Sequence, residues 1–257
     1  MAQFQPILPQ KGIKTADLVA RQIRSAILKG ELSENDLLPA EPYLLTAFKV
    51  SRPTLREALR LLESEGLVTV LRGARGGARI KQPTAMSVAR SAGFALQAQG
   101  GTLFEVYEAR RVIEPPAARL AAENQPEEAA AALQAQIDRE HEIVRLGQWR
   151  AVPLAVADFH QVLLEHCGNR ALTLMGLSLK QIVDRHQQLL ASSRRGEDKT
   201  LRDQRVRLGF RSHQRLVDLI RTGQGALAER HWRLHMLGAR DFWLVGLAAH
   251  AVVDGIE

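Results

Sequence analysis

The feature that most constrains this chain is the run Val50-Ser51-Arg52-Pro53-Thr54-Leu55-Arg56-Glu57-Ala58-Leu59-Arg60-Leu61-Leu62-Glu63-Ser64-Glu65-Gly66-Leu67-Val68. Leu55, Ala58, Leu59 and Leu62 recur at i, i+3, i+4 and i+7, which puts one apolar stripe along an α-helix. Ser51 suits the N-cap, Pro53 suits a first turn whose amides lack helical partners, and Gly66 suits the C-terminal stop. The N-terminal end of the other face carries Ser51, Arg52, Thr54 and Arg56. Hydroxyls and guanidiniums there match a helix that enters a DNA major groove. Arginine pairs bidentately with guanine, and hydroxyls and first-turn amides hold phosphates. A solvated basic face on an ordinary helix fits the same residues. This helix alone does not separate the two readings.

At 257 residues the chain accommodates two domains of ordinary size. Its single cysteine, Cys167, excludes an internal disulfide framework and a cysteine metal cluster. No apolar run approaches bilayer length and the first residues contain no hydrophobic signal region, so the expectation is a soluble cytoplasmic protein with no membrane partner. Charge is uneven. Residues 1–82 hold 13 Lys and Arg against 8 Asp and Glu, while the remaining 175 hold 22 against 20. The excess lies where a polyanion would be met.

In order along the chain, residues 1–10 have no period and read as a loose arm. Residues 15–29 form an amphipathic helix with Leu18, Val19, Ile23, Ala26 and Ile27 inward. A connector over 31–39 leads to a short helix at 41–48, and Lys49 and Val50 separate it from the Ser51 cap. That is a helix-turn-helix order. Residues 67–71 and 78–81 read as two strands of a hairpin, or wing, around a turn containing Arg72, Gly73 and Arg75. The glycines would let the backbone approach a phosphate or a groove wall. Beyond a polar joint at 82–84 the pattern is helical: 85–99, 103–123 with a bend at Pro115-Pro116, 127–146, 150–167, 170–192, then a charged loop at 194–203, 204–221 and 226–248. The fold class is mainly α: an N-terminal winged helix-turn-helix of three helices plus a β-hairpin, joined to an antiparallel bundle of six or seven helices. The expected boundaries are 11–82 for the first domain, 83–101 for a linker and connecting helix, and 102–250 for the bundle.

Residues 14–81 resemble the winged helix-turn-helix domain of GntR-type bacterial transcription regulators. The resemblance is carried by Leu38-Pro39-Ala40-Glu41, by Val50 to Leu59, by Leu62-Glu63-Ser64-Glu65-Gly66-Leu67-Val68 and by the wing. It implies that Ser51, Arg52, Thr54 and Arg56 contact DNA, with Arg72, Gly73 and Arg75 at the wing. One departure stands out. Pro42 occupies a place where many relatives carry an arginine.

Residues 100–240 resemble the FCD-type effector-binding domain of the FadR subfamily. Tyr107-Glu108-Ala109-Arg110-Arg111-Val112-Ile113-Glu114, Phe159-His160, Gly168-Asn169, His213 and His235-Met236 are among the matching pieces. In such domains one Asp and three His commonly hold a divalent metal of the Zn or Ni type, and His160, His213 and His235 fall at the histidine places. At the aspartate place, one turn before His160, stands Val156. Asp158 is only two residues from His160, a spacing that points it to another side of a helix. Three histidines with water still bind a metal. The same three equally suit an organic pocket, bonded to a ligand or to one another. By the resemblance Arg110 fixes an acidic effector, although Arg110 and Glu114 at i, i+4 also form a simple pair. Asn169, after Gly168, reads first as a helix boundary and second as an effector contact.

Together these features imply a homodimeric transcription regulator, most often a repressor in such proteins, on a palindromic operator in double-stranded DNA. Its effector would be a small carboxylate or an acyl thioester bound in the bundle. Two alternatives remain: an architectural DNA binder with a degenerate effector site, and a metal-dependent enzyme. No general base stands at a credible spacing to the histidines and no nucleophile or phosphate-loop motif occurs, so the chain reads as no enzyme.

Overall fold

Apolar spacing builds a first unit that ends at Thr84. The computed structural model describes residues 4–71, 77–193, 199–244 and 252–253. Helices α1 (Thr15–Leu28), α2 (Glu41–Phe48) and α3 (Arg52–Ser64) bring Val19, Ile23, Phe48, Leu55, Ala58 and Leu62 into one core, closed by Val68, Ala78 and Ile80. Strands β1 (Val68–Leu71) and β2 (Gly77–Ile80) pair antiparallel, Val68 opposite Ile80. Lys49, in the left-handed region at φ 55°, ends α2 and turns the chain towards α3. Arg24 of α1 clamps Glu65 at the end of α3, donating from Nε at 2.8 Å and from Nη2 at 2.5 Å.

Two segments do more than their sequence suggests. The connector at 31–39 joins the sheet: the Leu38 amide donates to the Ala78 carbonyl and the Ile80 amide to the Asp36 carbonyl, both at 2.8 Å. Strand β2 is therefore hydrogen-bonded on both edges. The arm is not loose over its described residues. The Phe4 ring lies 4.9 Å from that of Phe48, the Ile7 amide donates to the Phe48 carbonyl, and the Gln5 backbone exchanges two bonds with the Gln22 side chain. Two isolated apolar residues have no period to read. Their partial burial is a tertiary event.

The second unit, from Ala85 onward, holds the other seven of the ten helices among the described residues. They are α4 (Ala85–Ala98), α5 (Leu103–Asn124), α6 (Pro126–Arg145), α7 (Val152–Glu165), α8 (Arg170–Ser193), α9 (Lys199–Arg221) and α10 (Gly225–Trp243). Helix α4, expected as a connector, packs inside this unit: Ala89 is buried with Tyr107, Ile182 and Val183. A capping box opens α5, in which the Thr102 amide donates to Glu105 Oε2 and the Glu105 amide to Thr102 Oγ1. The same helix continues through Pro115 and Pro116 without interruption. Helix α9 starts at Lys199, earlier than the expected 204, and the part of the final helix expected at 245–248 lies outside the described residues. Beyond the expected end of the bundle, Val253 is buried and its amide donates to the Gly101 carbonyl at 2.9 Å. The principal core, with Leu133, Ile137, Phe159, Leu163, Leu216, Ile220 and Trp232, is drawn from α6, α7, α9 and α10, with alanines of α5. Among the described residues no helix is long and apolar enough to cross a membrane.

Candidate functional site

The first candidate surface is the N-terminal end of α3. Ser51 caps the helix: the Thr54 amide is directed at its Oγ at 3.5 Å, and the two hydroxyl oxygens lie 2.8 Å apart. Arg52 and Arg56 are exposed about one turn apart, on a helix whose Leu55, Ala58 and Leu62 are buried. Arg52 Nε lies 3.7 Å from Glu41 Oε1 at the start of α2. So exposed a pair holds by at most about 1 kcal/mol, and the guanidinium exchanges that carboxylate readily for a phosphate or a base edge. Ser51, Arg52, Thr54 and Arg56 thus share one helix end, as the pattern required. Arg72, Gly73 and Arg75 of the wing lie outside the described residues.

The second candidate is inside the bundle. His160 of α7, His213 of α9 and His235 of α10 each offer a ring nitrogen, and the three nitrogens lie within 4.8 Å of one another. Two of the rings are stacked on an aromatic neighbour. His213 stacks on Phe159, with centroids 3.8 Å apart, and His235 stacks on Trp232 at 4.1 Å. Each Nδ1 has a partner: Glu114 Oε2 at 2.6 Å for His160, Glu140 Oε2 at 3.3 Å for His213, and Ser212 Oγ at 2.9 Å for His235. The Nε2 atoms are therefore the ones left to converge. Those of His213 and His235 are buried without a hydrogen-bond partner.

Electrostatics sharpen the picture. Burial pushes all three imidazoles down, His213 to about 3 and His235 well below its usual range, so they are neutral at physiological pH and carry lone pairs. Glu114 is fully buried, which alone would raise its carboxyl. The Arg110 guanidinium, donating to Oε1 at 2.7 Å, and the His160 hydrogen bond hold it down at about 2. An ionised carboxylate only accepts, so His160 Nδ1 carries the proton and Nε2 the lone pair. Trp232 Nε1 donates to the same Oε2 at 3.1 Å. Glu140 has no such cation, and burial pushes its carboxyl up to about 8. A carboxylate behind a histidine is the arrangement that orients imidazoles on metals. Two orphaned buried Nε2 atoms, each costing about 1–3 kcal/mol when unmade, fit an ion that would take both lone pairs.

The other sequence-predicted residues fall elsewhere. Arg110 is buried and its Nε and Nη2 both meet Glu114, so it bears on the cluster through that carboxylate. Asn169 is exposed and caps α8, its Oδ1 accepting from the amides of Ala171 and Leu172 at 3.1 Å. Asp158 is more than half exposed and turned to Lys180 at 3.8 Å, so it does not replace the carboxylate missing at Val156. Sequence reasoning missed Glu140, Ser212, Phe159 and Trp232 as partners of the rings. Glu140 carried a signal: it stands at i+7 from Leu133 and i+3 from Ile137, an acid on an apolar stripe.

Known proteins match the same two parts. Residues 15–77 match the family described as "Bacterial regulatory proteins, gntR family", and residues 105–238, just over half of the chain, match "FCD domain". The chain is 28% identical over 238 residues to the HTH-type transcriptional repressor NanR of Citrobacter rodentium, covering 90% of this chain and 85% of that one. It is likewise 28% identical over 235 residues to the NanR of an Enterobacter species, with the same shares covered. A Streptococcus agalactiae GntR structure superposes with a TM-score of 0.67 at 22% identity, covering 88% of this chain and 98% of that one, a likeness of fold.

Proposed function

Because the chain belongs to the GntR family of bacterial regulatory proteins, with an FCD domain as its second unit, we propose that it is a metal-dependent repressor relieved or engaged by a small acid. It is a DNA-binding transcription regulator with a C-terminal effector-binding domain, and not an enzyme. The observation that carries the metal reading is the convergence of three neutral imidazoles from α7, α9 and α10, each with its Nδ1 occupied. The direction of control is taken from the NanR relatives, which are repressors by name.

In this reading His160, His213 and His235 hold a Zn- or Ni-type ion through Nε2. The ion would supply a Lewis acid that accepts carboxylate oxygens of the effector. Arg110 keeps Glu114 ionised, Glu114 keeps the His160 proton on Nδ1, and Ser212 orients His235. Asn169 serves the helix boundary, and the effector's charge is met at the metal instead of at Arg110. At the other end of the chain Ser51 and Thr54 hold phosphate, Arg52 and Arg56 read base edges, and a wing carrying Arg72, Gly73 and Arg75 follows the backbone. Two copies related by a twofold axis place two such helices on a palindromic operator. The effector must bind the DNA-competent and released arrangements with different affinity, since equal affinity would regulate nothing.

Elemental analysis of the untagged protein beside its His160→Ala variant tests the metal reading. Near-stoichiometric metal in the wild type, lost in the variant, supports it. Wild type that stays metal-free after incubation with Zn and Ni overturns it and leaves an organic pocket for larger apolar acids or acyl thioesters. Operator affinity indifferent to every carboxylate tried, in protein loaded with metal, removes the effector and leaves an architectural DNA binder.

A further inference from the structure

Among the described residues of the bundle, Glu140 is a buried acid without a cation. The Glu140 side chain is fully buried, one oxygen lies 3.3 Å from His213 Nδ1, and the other, Oε1, has no partner. Among the described residues no lysine or arginine pairs with it, in contrast to Glu114, whose charge Arg110 cancels. Arg110 stands against Glu114 and the three imidazoles are neutral, so a charge on Glu140, once ionised, would have no counter-charge within the cluster. Carboxylates do not stay ionised in such a place without a compensating cation. Among the described residues, the position from which a divalent cation could be both held and neutralised is the meeting point of the imidazoles, beyond the ring that Glu140 touches.

We propose that Glu140, from α6 and from behind His213, supplies the negative charge that this cation site lacks at Val156. The inference rests on the metal reading above. Glu140 is a positioning residue and not a ligand, because its bonded oxygen sits on Nδ1, the far side of the His213 ring from Nε2. Asp158, the nearest acid in sequence, is excluded by its exposure and its contact with Lys180. The ion's coordination shell then consists of three neutral imidazoles with positions left open to an anionic effector, while charge balance comes from outside that shell. Such a site favours ligands with two oxygen donors, since no protein carboxylate competes for the vacated coordination position.

Glu140→Gln keeps the size of the side chain and a polar group beside His213 Nδ1, and removes the carboxyl's ability to ionise. Zn affinity of the full chain is measured by competition with a chromophoric chelator, and melting is followed with and without Zn. The expected result for Glu140→Gln is about 10- to 100-fold weaker Zn binding, together with a higher melting temperature of the metal-free protein. A merely structural acid would give the opposite melting change. Val156→Asp in the Glu140→Gln background restores most of the affinity by returning a carboxylate one turn before His160. Wild-type Zn affinity in Glu140→Gln, or no rescue in the double variant, overturns this inference alone. A wild type that binds no Zn overturns it together with the metal reading.

Discussion

Arg52 and Arg56 stand at the exposed end of α3 while Leu55 and Ala58 between them are buried, so either arginine can be removed without disturbing the core. Arg52→Ala or Arg56→Ala should each weaken binding to a selected operator by about 1–3 kcal/mol, roughly 10- to 100-fold, and relax its sequence preference. Far-UV circular dichroism should not change. A variant that keeps the wild-type operator preference would remove α3 as the reading element. A second prediction at this scale concerns pH in metal-free protein. In the unfolded chain His160, His213 and His235 take up protons below about 6.5, while in the folded chain burial delays this, for His213 to about 3. The unfolded state then binds more protons, so stability present above that pH is lost as pH falls below it. Glu140 acts in the opposite sense, protonated in the folded chain up to about 8, but it is one group against three. Glu114, held at about 2 against Arg110, keeps its charge throughout. The melting temperature of the second unit should therefore fall between pH 7 and 5, and fall less in His213→Gln. A flat profile in both proteins would mean that the imidazoles are not buried neutral.

Among the elements, α7 and α8 approach closely at Gly176. A Cβ built there would lie 2.5 Å from Leu164 Cδ2 and 2.9 Å from Cδ1, and Leu164 is itself fully buried. Gly176→Ala should destabilise the second unit by about 1–3 kcal/mol through overpacking. Gly238 of α10 is the contrast, with nothing within 4 Å of the added methyl. There alanine should stabilise by about 0.5–1 kcal/mol through lower unfolded-state entropy. Denaturant melts of the two variants decide this, and shifts of the same sign would contradict the packing described. Element boundaries were legible because local chemistry writes them. Ser51 and Thr102 cap α3 and α5, and Gly66 and Gly168, at φ 74° and 73°, follow the helices before them. The start of α9 was not legible, since its charged first turns carry no apolar stripe to announce a helix.

For the molecule as a whole, each unit encloses its own apolar core, the first around Ile23, Phe48 and Leu55 and the second around Leu133, Phe159 and Trp232. Zn or Ni at saturation should therefore raise one melting transition and leave the other in place, since an ion held by His160, His213 and His235 stabilises only the unit that contains them. At one hundred times the dissociation constant the gain is about 2.7 kcal/mol. Calorimetry with and without the ion reads this directly, and a shift of both transitions would show that the units unfold as one. Operator binding should fall steeply with salt, because the basic excess is concentrated in the first unit and phosphate neutralisation releases counterions.

The sequence by itself determined what depends on neighbours along the chain: helix stripes, caps and stops, and the order of a helix-turn-helix with its hairpin, while the three histidine places came from the resemblance to FCD-type domains. Period and capping are local physics, and they survive in any fold that buries the stripe. Tertiary structure alone decided which side chains stand behind those histidines. Glu114, Glu140 and Ser212 come from three different helices, and no spacing rule relates positions 114, 140 and 212 to 160, 213 and 235. It also decided that the Arg110–Glu114 pair, already legible at i, i+4, is buried behind His160, that Asp158 faces Lys180, and that Phe4 and Ile7 lie on the first core. Each of those outcomes is set by which helix faces meet, and a charge or an isolated apolar residue takes its role from what the meeting faces leave beside it.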